Sequence, residues 1–452
     1  GSAERPRSRE APERGTNSSA GSARVPGPVP LRVLLHALLT TPPTPKLGPD
    51  LGKAHFERKA FWAALPPEHA AAVHELGRDV ERFWANIQDV NRQQLPYRQA
   101  AVQKVTRALQ EIWPRARTRV FGSFSTGLSL PSSDVDMAVL LPPVRNLPPI
   151  EEVGILEGRN GIKENHFQQA ARSLANQEWV RPDSLKAIEL TAVPIISLVV
   201  RSAHEDGDAH SSGGGEVSMP RSRSTATAAA ATMPTAGASV PTAATAESSG
   251  DVRLDVSFEG AGHRGIVTVE LMRELLHRYP QLAPLSIVLK QFLVERSLQH
   301  AYTGGLSSYC LICLITAFLQ QQELFESPVP ADSGAAAPFN LGRLLLDFLF
   351  FYGRVFDARA AYVTLKAGDH YLERTSKIDP LLVSDPLVPE LNVGQNVFRI
   401  SQIQKAFVEA SDTLHAGIAE KDNGRGAGTP AAVPDAQHPR FAFLHRILNP
   451  PA

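Results

Sequence analysis

Cysteine is nearly absent from this sequence, with two in 452 residues, Cys310 and Cys313. Two cysteines within one apolar run, SSYCLICLITAFL, cannot build the disulfide framework of a small secreted scaffold. No second pair stands nearby, so their i,i+3 spacing on a buried helix accounts for them better than a metal or redox site. Net charge is missing as well. The 46 basic side chains are matched by 46 acidic ones, which excludes a global electrostatic footprint for nucleic acid. Any such contact needs local basic residues or a partner. No apolar run approaches the roughly 20 residues of a transmembrane helix, and the first residues carry no apolar core of a secretion signal. An intracellular protein with no membrane contact is therefore expected. Bulky apolar residues are scarce in two stretches, 1–30 and 202–250, which lack the side chains that offset ordering entropy and are expected to be disordered.

What is present is concentrated in VFGSFSTGLSLPSSDVDMAVLLP, residues 120–142. A Gly122-Ser123 turn precedes Asp134 and Asp136, which open an apolar run. In a strand, residues i and i+2 share a face, so both carboxylates project together while Val135 and Met137 point away. Carboxylates held that close raise each other's pKa unless a cation lies between them. Mg²⁺ (or Mn²⁺), an oxygen-seeking ion, suits such a pair together with a triphosphate. A Gly-Ser turn lets backbone amides approach phosphate oxygens. DVRLDVSF, residues 251–258, supplies a third acid. Val252, Leu254, Val256 and Phe258 form one face and Arg253, Asp255 and Ser257 the other, the pattern of a half-buried strand. Paired beside 135–141, it brings Asp255 to Asp134 and Asp136, and a site with two cations about 3.5–4 Å apart becomes possible. Asp251 shares that face but stands where a loop ends.

The Gly-Ser turn, the Asp-x-Asp pair and the later aspartate resemble the DNA polymerase β-like nucleotidyltransferase superfamily. The chain is similar in more detail to poly(A) RNA polymerases of the TRAMP type and their terminal uridylyltransferase relatives. LQEIWPRARTRVFGSFSTGLSLPSSDVDMAVLL (109–141), LKAIELTAVPIISL (185–198), LAPLSIVLKQFLVERSLQHAYTGGLSSYCL (282–311), LDFLFFYGRVFD (346–357) and DPLVPELNVG (385–394) carry the resemblance in order. It implies an α/β palm of that superfamily joined to a mostly α-helical central domain. It also implies metal binding by Asp134, Asp136 and Asp255, with phosphate contacts from Gly122, Ser123, Lys290 and Ser308. Tyr309 would stack the base, and 385–394 would be the nucleotide-recognition loop, with Asp385, Leu391 and Asn392 among its nucleotide-binding positions. Uridylyltransferase relatives carry histidine where Leu391 stands, so a purine is the expected occupant. After the third aspartate, EGAGHRG (259–265) is two residues longer than in relatives, and Arg264 falls near the place of an asparagine that meets the ribose.

The activity implied is template-independent addition of AMP from ATP to RNA 3′ ends, in RNA processing, surveillance or decay. A terminal uridylyltransferase and an RNA-binding scaffold without activity are the alternatives. An RNA-binding or exosome- and helicase-type partner and a nuclear location, otherwise cytoplasmic, complete the expectation.

Composition shifts divide the chain. Residues 1–50 form a linker-like N-terminal region, 51–114 hold helices (66–93 and 96–113) packing with the central domain, and 115–265 form the palm. Within the palm, 202–250 is an insertion between neighbouring strands, or alternatively an interdomain linker. Residues 266–421 form the helical domain, and 422–452 a flexible tail whose FAFLHRIL is a short last helix.

Overall fold

The computed structural model describes Gly1 and residues 67–142, 165–191, 193–201, 250–260, 263–325, 340–365, 370–374, 378–422 and 441–448. The stretch 2–30, the apolar segment 29–40, residues 202–249, the loop 327–338 and most of 420–439 lie outside the described residues. Helix α1 (Pro67–Ile112) is followed by β1 (Arg117–Phe121), the short α2 (Gly122–Thr126) and β2 (Val135–Leu140). Then come α3 (His166–Ala175), β3 (Lys186–Ile188), β4 (Ile195–Val200) and β5 (Val252–Phe258). The five strands form one mixed sheet in the order β1-β2-β5-β4-β3. Only the β2–β5 pairing is parallel.

The alternation read in 251–258 decides which face of the sheet is buried. Leu254 and Val256 are fully buried, as are Val135, Met137 and Val139 of β2 and Ile196 and Leu198 of β4. They pack with Ala101, Val105, Ala108 and Leu109 of α1 and Phe167, Ala170 and Leu174 of α3. The helices thus cover one face, and the polar positions of β2 and β5 are left on the other. Val200 and Val252 are register partners in adjacent antiparallel strands. The chain leaves β4 at Val200 and re-enters the sheet beside it at Val252.

Beyond the sheet lie α4 (Gly265–Arg278), α5 (Leu282–Glu295), a 3₁₀ turn (Ala301–Thr303), α6 (Ser308–Phe325) and α7 (Leu341–Phe350). A π turn (Phe351–Val355), the hairpin β6 (Ala361–Val363) and β7 (Tyr371–Glu373), α8 (Ile400–Asp422) and α9 (His445–Leu448) complete the described elements. A second apolar cluster gathers these helices, including Phe292, Phe318, Phe348 and Phe407. Cys310 and Cys313 lie inside it, buried and unpaired, and burial pushes the Cys310 thiol up to about 12. The tail is anchored by Asp79, whose Oδ2 accepts backbone N–H bonds from Phe443 at 2.7 Å and Leu444 at 3.3 Å. Among the described residues no helix is long and apolar enough to cross a membrane.

One expectation is corrected. Residues 66–93 and 96–113 are one 46-residue helix with Pro96 inside it. Proline at this point removes one backbone bond, but apolar contacts on both sides hold the helix through it. Helix α1 contributes to both apolar clusters. Leu76, Val80, Phe83 and Ile87 join the helical cluster, whereas Ala101, Val105 and Leu109 join the sheet's. The helical domain also contains the β6–β7 hairpin, whose three-residue strands are too short to show a period in sequence.

Candidate active site

Parallel pairing of β2 with β5 makes Asp136 and Asp255 register partners, so their side chains emerge side by side on the uncovered face. Asp134 lies one residue before β2. Gly122, at the β1–α2 junction, has φ +66°. A Cβ there would fall 2.0 Å from Oδ2 of Asp136. Glycine is needed here twice over, for the left-handed backbone and for the carboxylate resting against it. Ser125 and Thr126 hydroxyls donate to the Gly122 carbonyl at 3.1 and 3.2 Å, which closes the turn.

The segment from this turn to Asp134 is held from α1. Gln88 Nε2 donates to the Gly127 carbonyl at 3.2 Å and Asn91 Nδ2 to that of Ser129 at 2.7 Å. Arg98, almost fully buried, donates to the Leu130 and Pro131 carbonyls at 3.3 and 2.6 Å, its guanidinium 5.7 Å from the centre of the Phe124 ring. Sequence periodicity showed only the apolar stripe of α1; these three polar side chains had no signal in it.

The acids are electrostatically crowded. Burial first, then repulsion from Asp255 and Asp134, lifts the Asp136 carboxyl to about 7, with Lys290 partly offsetting the rise. Asp255 is raised by burial and by Asp134, while a Ser197 hydrogen bond and Arg253 oppose the shift. Its Oδ1 is buried without a hydrogen-bond partner. The Nε of Arg253 stands 2.9 Å from Oδ1 of Asp134, and its Nη2 donates to the Ser132 carbonyl. Three mutually repelling carboxylates, one with an orphaned oxygen, are short of positive charge and offer the oxygen donors that a hard divalent ion takes. The residues fit Mg²⁺ or Mn²⁺. Among the described residues no three acid, histidine or cysteine side chains already converge on one point, and Arg253 engages the oxygen of Asp134.

Lys290 approaches from α5. It is buried, donates to the Leu128 carbonyl at 2.5 Å, and its ammonium is lowered to about 8 by burial, with Asp136 opposing. The expected phosphate cation is thus bonded to the segment that runs from the Gly122 turn to β2, within electrostatic reach of Asp136. Ser308 opens α6, preceded by Gly304 at φ +83°. The hydroxyl of Tyr309 donates to Oδ1 of Asp385 at 3.0 Å, and the same oxygen accepts from the Leu387 N–H at 2.8 Å. One hydrogen bond therefore ties the expected stacking residue to the expected recognition loop. Leu391 is exposed on that loop. Asn392, in contrast, is committed to the loop's own backbone. Its Oδ1 accepts from Val383 and Gly394 and its Nδ2 donates to Leu381, leaving one amide hydrogen for a ligand. Arg264, just before α4, buries Nη1 without a hydrogen-bond partner, and its charge is felt by the Tyr309 hydroxyl.

A mixed sheet with acids side by side on two strands, backed by a glycine turn and a lysine from a helical body, defines a nucleotidyltransferase palm. Residues 76–206 match the family described as "Poly(A) RNA polymerase, mitochondrial-like, central palm domain". Poly(A) RNA polymerase protein 1 of Saccharomyces cerevisiae is 28% identical over 336 residues, covering 72% of this chain and 41% of its own length. Poly(A) RNA polymerase protein 2 of the same yeast is 28% identical over 349 residues, covering 74% and 47%. The chain spans less than half the length of these curated relatives. A solved structure of the Cid1 poly(U) polymerase with Mg 3′-dATP bound shares the fold, with TM-score 0.50 and 18% identity over 75% of this chain and 94% of that one. Over residues 76–206 the chain is similar to the palm of these polymerases, and over about three quarters of its length to the yeast poly(A) RNA polymerase proteins.

Proposed function

We propose that the chain adds AMP from ATP to RNA 3′ ends without a template. The observation that carries this is the pairing of Asp136 with Asp255 across parallel strands, with Gly122 against the Asp136 carboxylate. Asp134, Asp136 and Asp255 would hold divalent ions, which when bound supply activation of the attacking hydroxyl and charge neutralisation at the leaving pyrophosphate. Gly122, Ser123 and Ser308 present small polar groups to the phosphates. Lys290 adds a positive charge behind them. Tyr309, fixed by Asp385, offers a ring on which any base can stack. Selection then falls to Leu391, which offers a base no polar contact and leaves room for a purine. The three acids on one sheet disfavour a scaffold without activity.

The division into a palm at 115–265 and a helical domain at 266–421 is part of the same reading, with the cleft between them taking ATP and the RNA end. Balanced charge points to an RNA-binding or helicase-type partner supplying affinity, and surveillance or decay in the nucleus is the setting proposed. The test is extension of a labelled oligo(A) primer by each nucleoside triphosphate separately, with Mg²⁺ or Mn²⁺. ATP extends the primer if the proposal holds. Preference for UTP would make the chain a uridylyltransferase, and no extension with any of the four would reject transferase activity.

A further inference from the structure

Single exposed apolar side chains are ordinary on a protein surface, but two large aromatic rings stand here on adjoining segments. Tyr302, in the 3₁₀ turn before α6, is 79% exposed, and Phe398, just before α8, is 65% exposed. The ring of Phe398 lies so close over Gly304 that a Cβ there would meet it at 2.3 Å. The ring of His300 adjoins that of Tyr302, their centroids 5.1 Å apart and tilted by 31°. Two hydrogen bonds fasten the segments together, from the Arg399 N–H to the Gly304 carbonyl at 3.0 Å and from Arg399 Nη1 to the Ser297 carbonyl at 2.8 Å. The rings are therefore mounted on a braced double loop and not on a free tip.

The position of that double loop suggests what covers it. One arm runs directly into Ser308 and Tyr309, and the other leaves the 385–394 loop four residues after Gly394. Both arms thus flank the residues assigned above to the incoming nucleotide. Burial chiefly lowers the His300 imidazolium, with Asp134 opposing and Arg253 reinforcing the shift, so the ring lies within electrostatic reach of that carboxylate. The side chain of Arg253, half-exposed and paired with Asp134 at 2.9 Å, lies on this side. Tyr309 faces inward with its hydroxyl bonded to Asp385, whereas Tyr302 and Phe398 face out. Exposed aromatic rings at the edge of a nucleotide site suit unpaired bases, because every base has a face to stack.

We infer that Tyr302 and Phe398, with His300, form a stacking platform for the unpaired bases next to the 3′ end of a single-stranded RNA, at the rim of the cleft. This rests on the adenylyl-transfer reading and adds to it the place where the growing strand is gripped. The platform acts on RNA affinity and leaves nucleotide binding alone.

Binding of a fluorescently labelled 15-nucleotide oligo(A) to the full chain, followed by anisotropy in chelator, tests this together with KM values for primer and ATP. Tyr302→Ala and Phe398→Ala should each weaken RNA binding by about fivefold to a hundredfold. KM for primer should rise in parallel and KM for ATP should hold. Tyr302→Phe, which keeps the ring, should bind as the wild type does. Both residues are exposed, so thermal melting should not move. RNA affinity unchanged in both alanine variants overturns the platform, and so does a parallel loss of ATP affinity. Variants that bind RNA normally but lose a protein partner assign the rim to protein docking and overturn it equally. A wild-type chain that neither binds nor extends oligo(A) removes the proposed function as well. If the wild type extends the primer and the alanine variants do so with unaltered primer KM, only the platform fails.

Discussion

The carboxylate of Asp136 rests on the bare Cα of Gly122, with no room between them for even a methyl group. The turn and the acid therefore constrain each other. Gly122→Ala should displace Asp136 from its place beside Asp255 and force a side chain into a left-handed backbone, which costs on the order of 1–3 kcal/mol. Primer extension should fall by at least about a hundredfold, as expected for loss of a positioned electrostatic group, while circular dichroism shows a folded chain. Extension near the wild-type rate would show that Asp136 has no fixed place.

Replacement of Asp136 by asparagine separates catalysis from stability. Extension should be lost, yet the metal-free fold should gain. The folded Asp136 carboxyl titrates at about 7 against an ordinary 3.8, so between these values the folded protein keeps a proton that the unfolded chain releases. Wild-type stability from this group is intact below the ordinary value and is lost as pH rises through about 7. The difference in Tm, Asp136→Asn minus wild type, should be small at pH 4 and grow to a plateau above pH 7. The scale is on the order of 2–4 °C per kcal/mol relieved. Melting in chelator at pH 4, 6 and 8 checks it, and a gap that does not vary with pH would show the three acids to be uncrowded.

Excision of 206–248 with a short Gly/Ser link should leave extension intact. Val200 and Val252 are paired across adjacent strands, so the ends to be joined already lie side by side, and loop-closure cost depends only weakly on length. Loss of activity in a folded variant would assign the removed segment to RNA or partner contact.

Leu391→His should move preference from ATP toward UTP. Histidine at this exposed position adds a polar contact for a pyrimidine and takes space a purine would fill. One such contact is worth about 1–3 kcal/mol, or roughly tenfold to a hundredfold in relative efficiency. Competition between labelled ATP and UTP measures the change. An unaltered ratio would place the base elsewhere than the 385–394 loop.

The three acids were legible in sequence because a strand's period of two places i and i+2 on one face, and the alternation of 251–258 marked which face was wet. The register that sets Asp136 against Asp255 was not legible, since it depends on a crossover of more than a hundred residues. Lys290 could be picked out through its surroundings, but not the Leu128 carbonyl it donates to, which arrives from another element. Asn392 looked available for a base because sequence cannot show that its amide is already bonded to Val383, Gly394 and Leu381. Arg253 was seen only as one of the polar residues of an alternating strand. Its pairing with Asp134 needs the β2–β5 neighbourhood to exist first. The continuity of α1 was missed for a similar reason, because proline reads locally as a break and the contacts that carry the helix through it are distant.

That continuity has a mechanical consequence. One rod is embedded at its beginning among the helices and at its end against the sheet, so neither body can swing without bending it. Proline has already deleted a rung of the backbone ladder at Pro96, near the junction between the two embedded halves. Flexure is cheapest there, within the same stretch whose Asn91 and Arg98 grip the segment leading to Asp134. A bend at Pro96 would therefore shift the two side chains that hold the segment leading to Asp134, coupling the shape of this helix to the place of that acid.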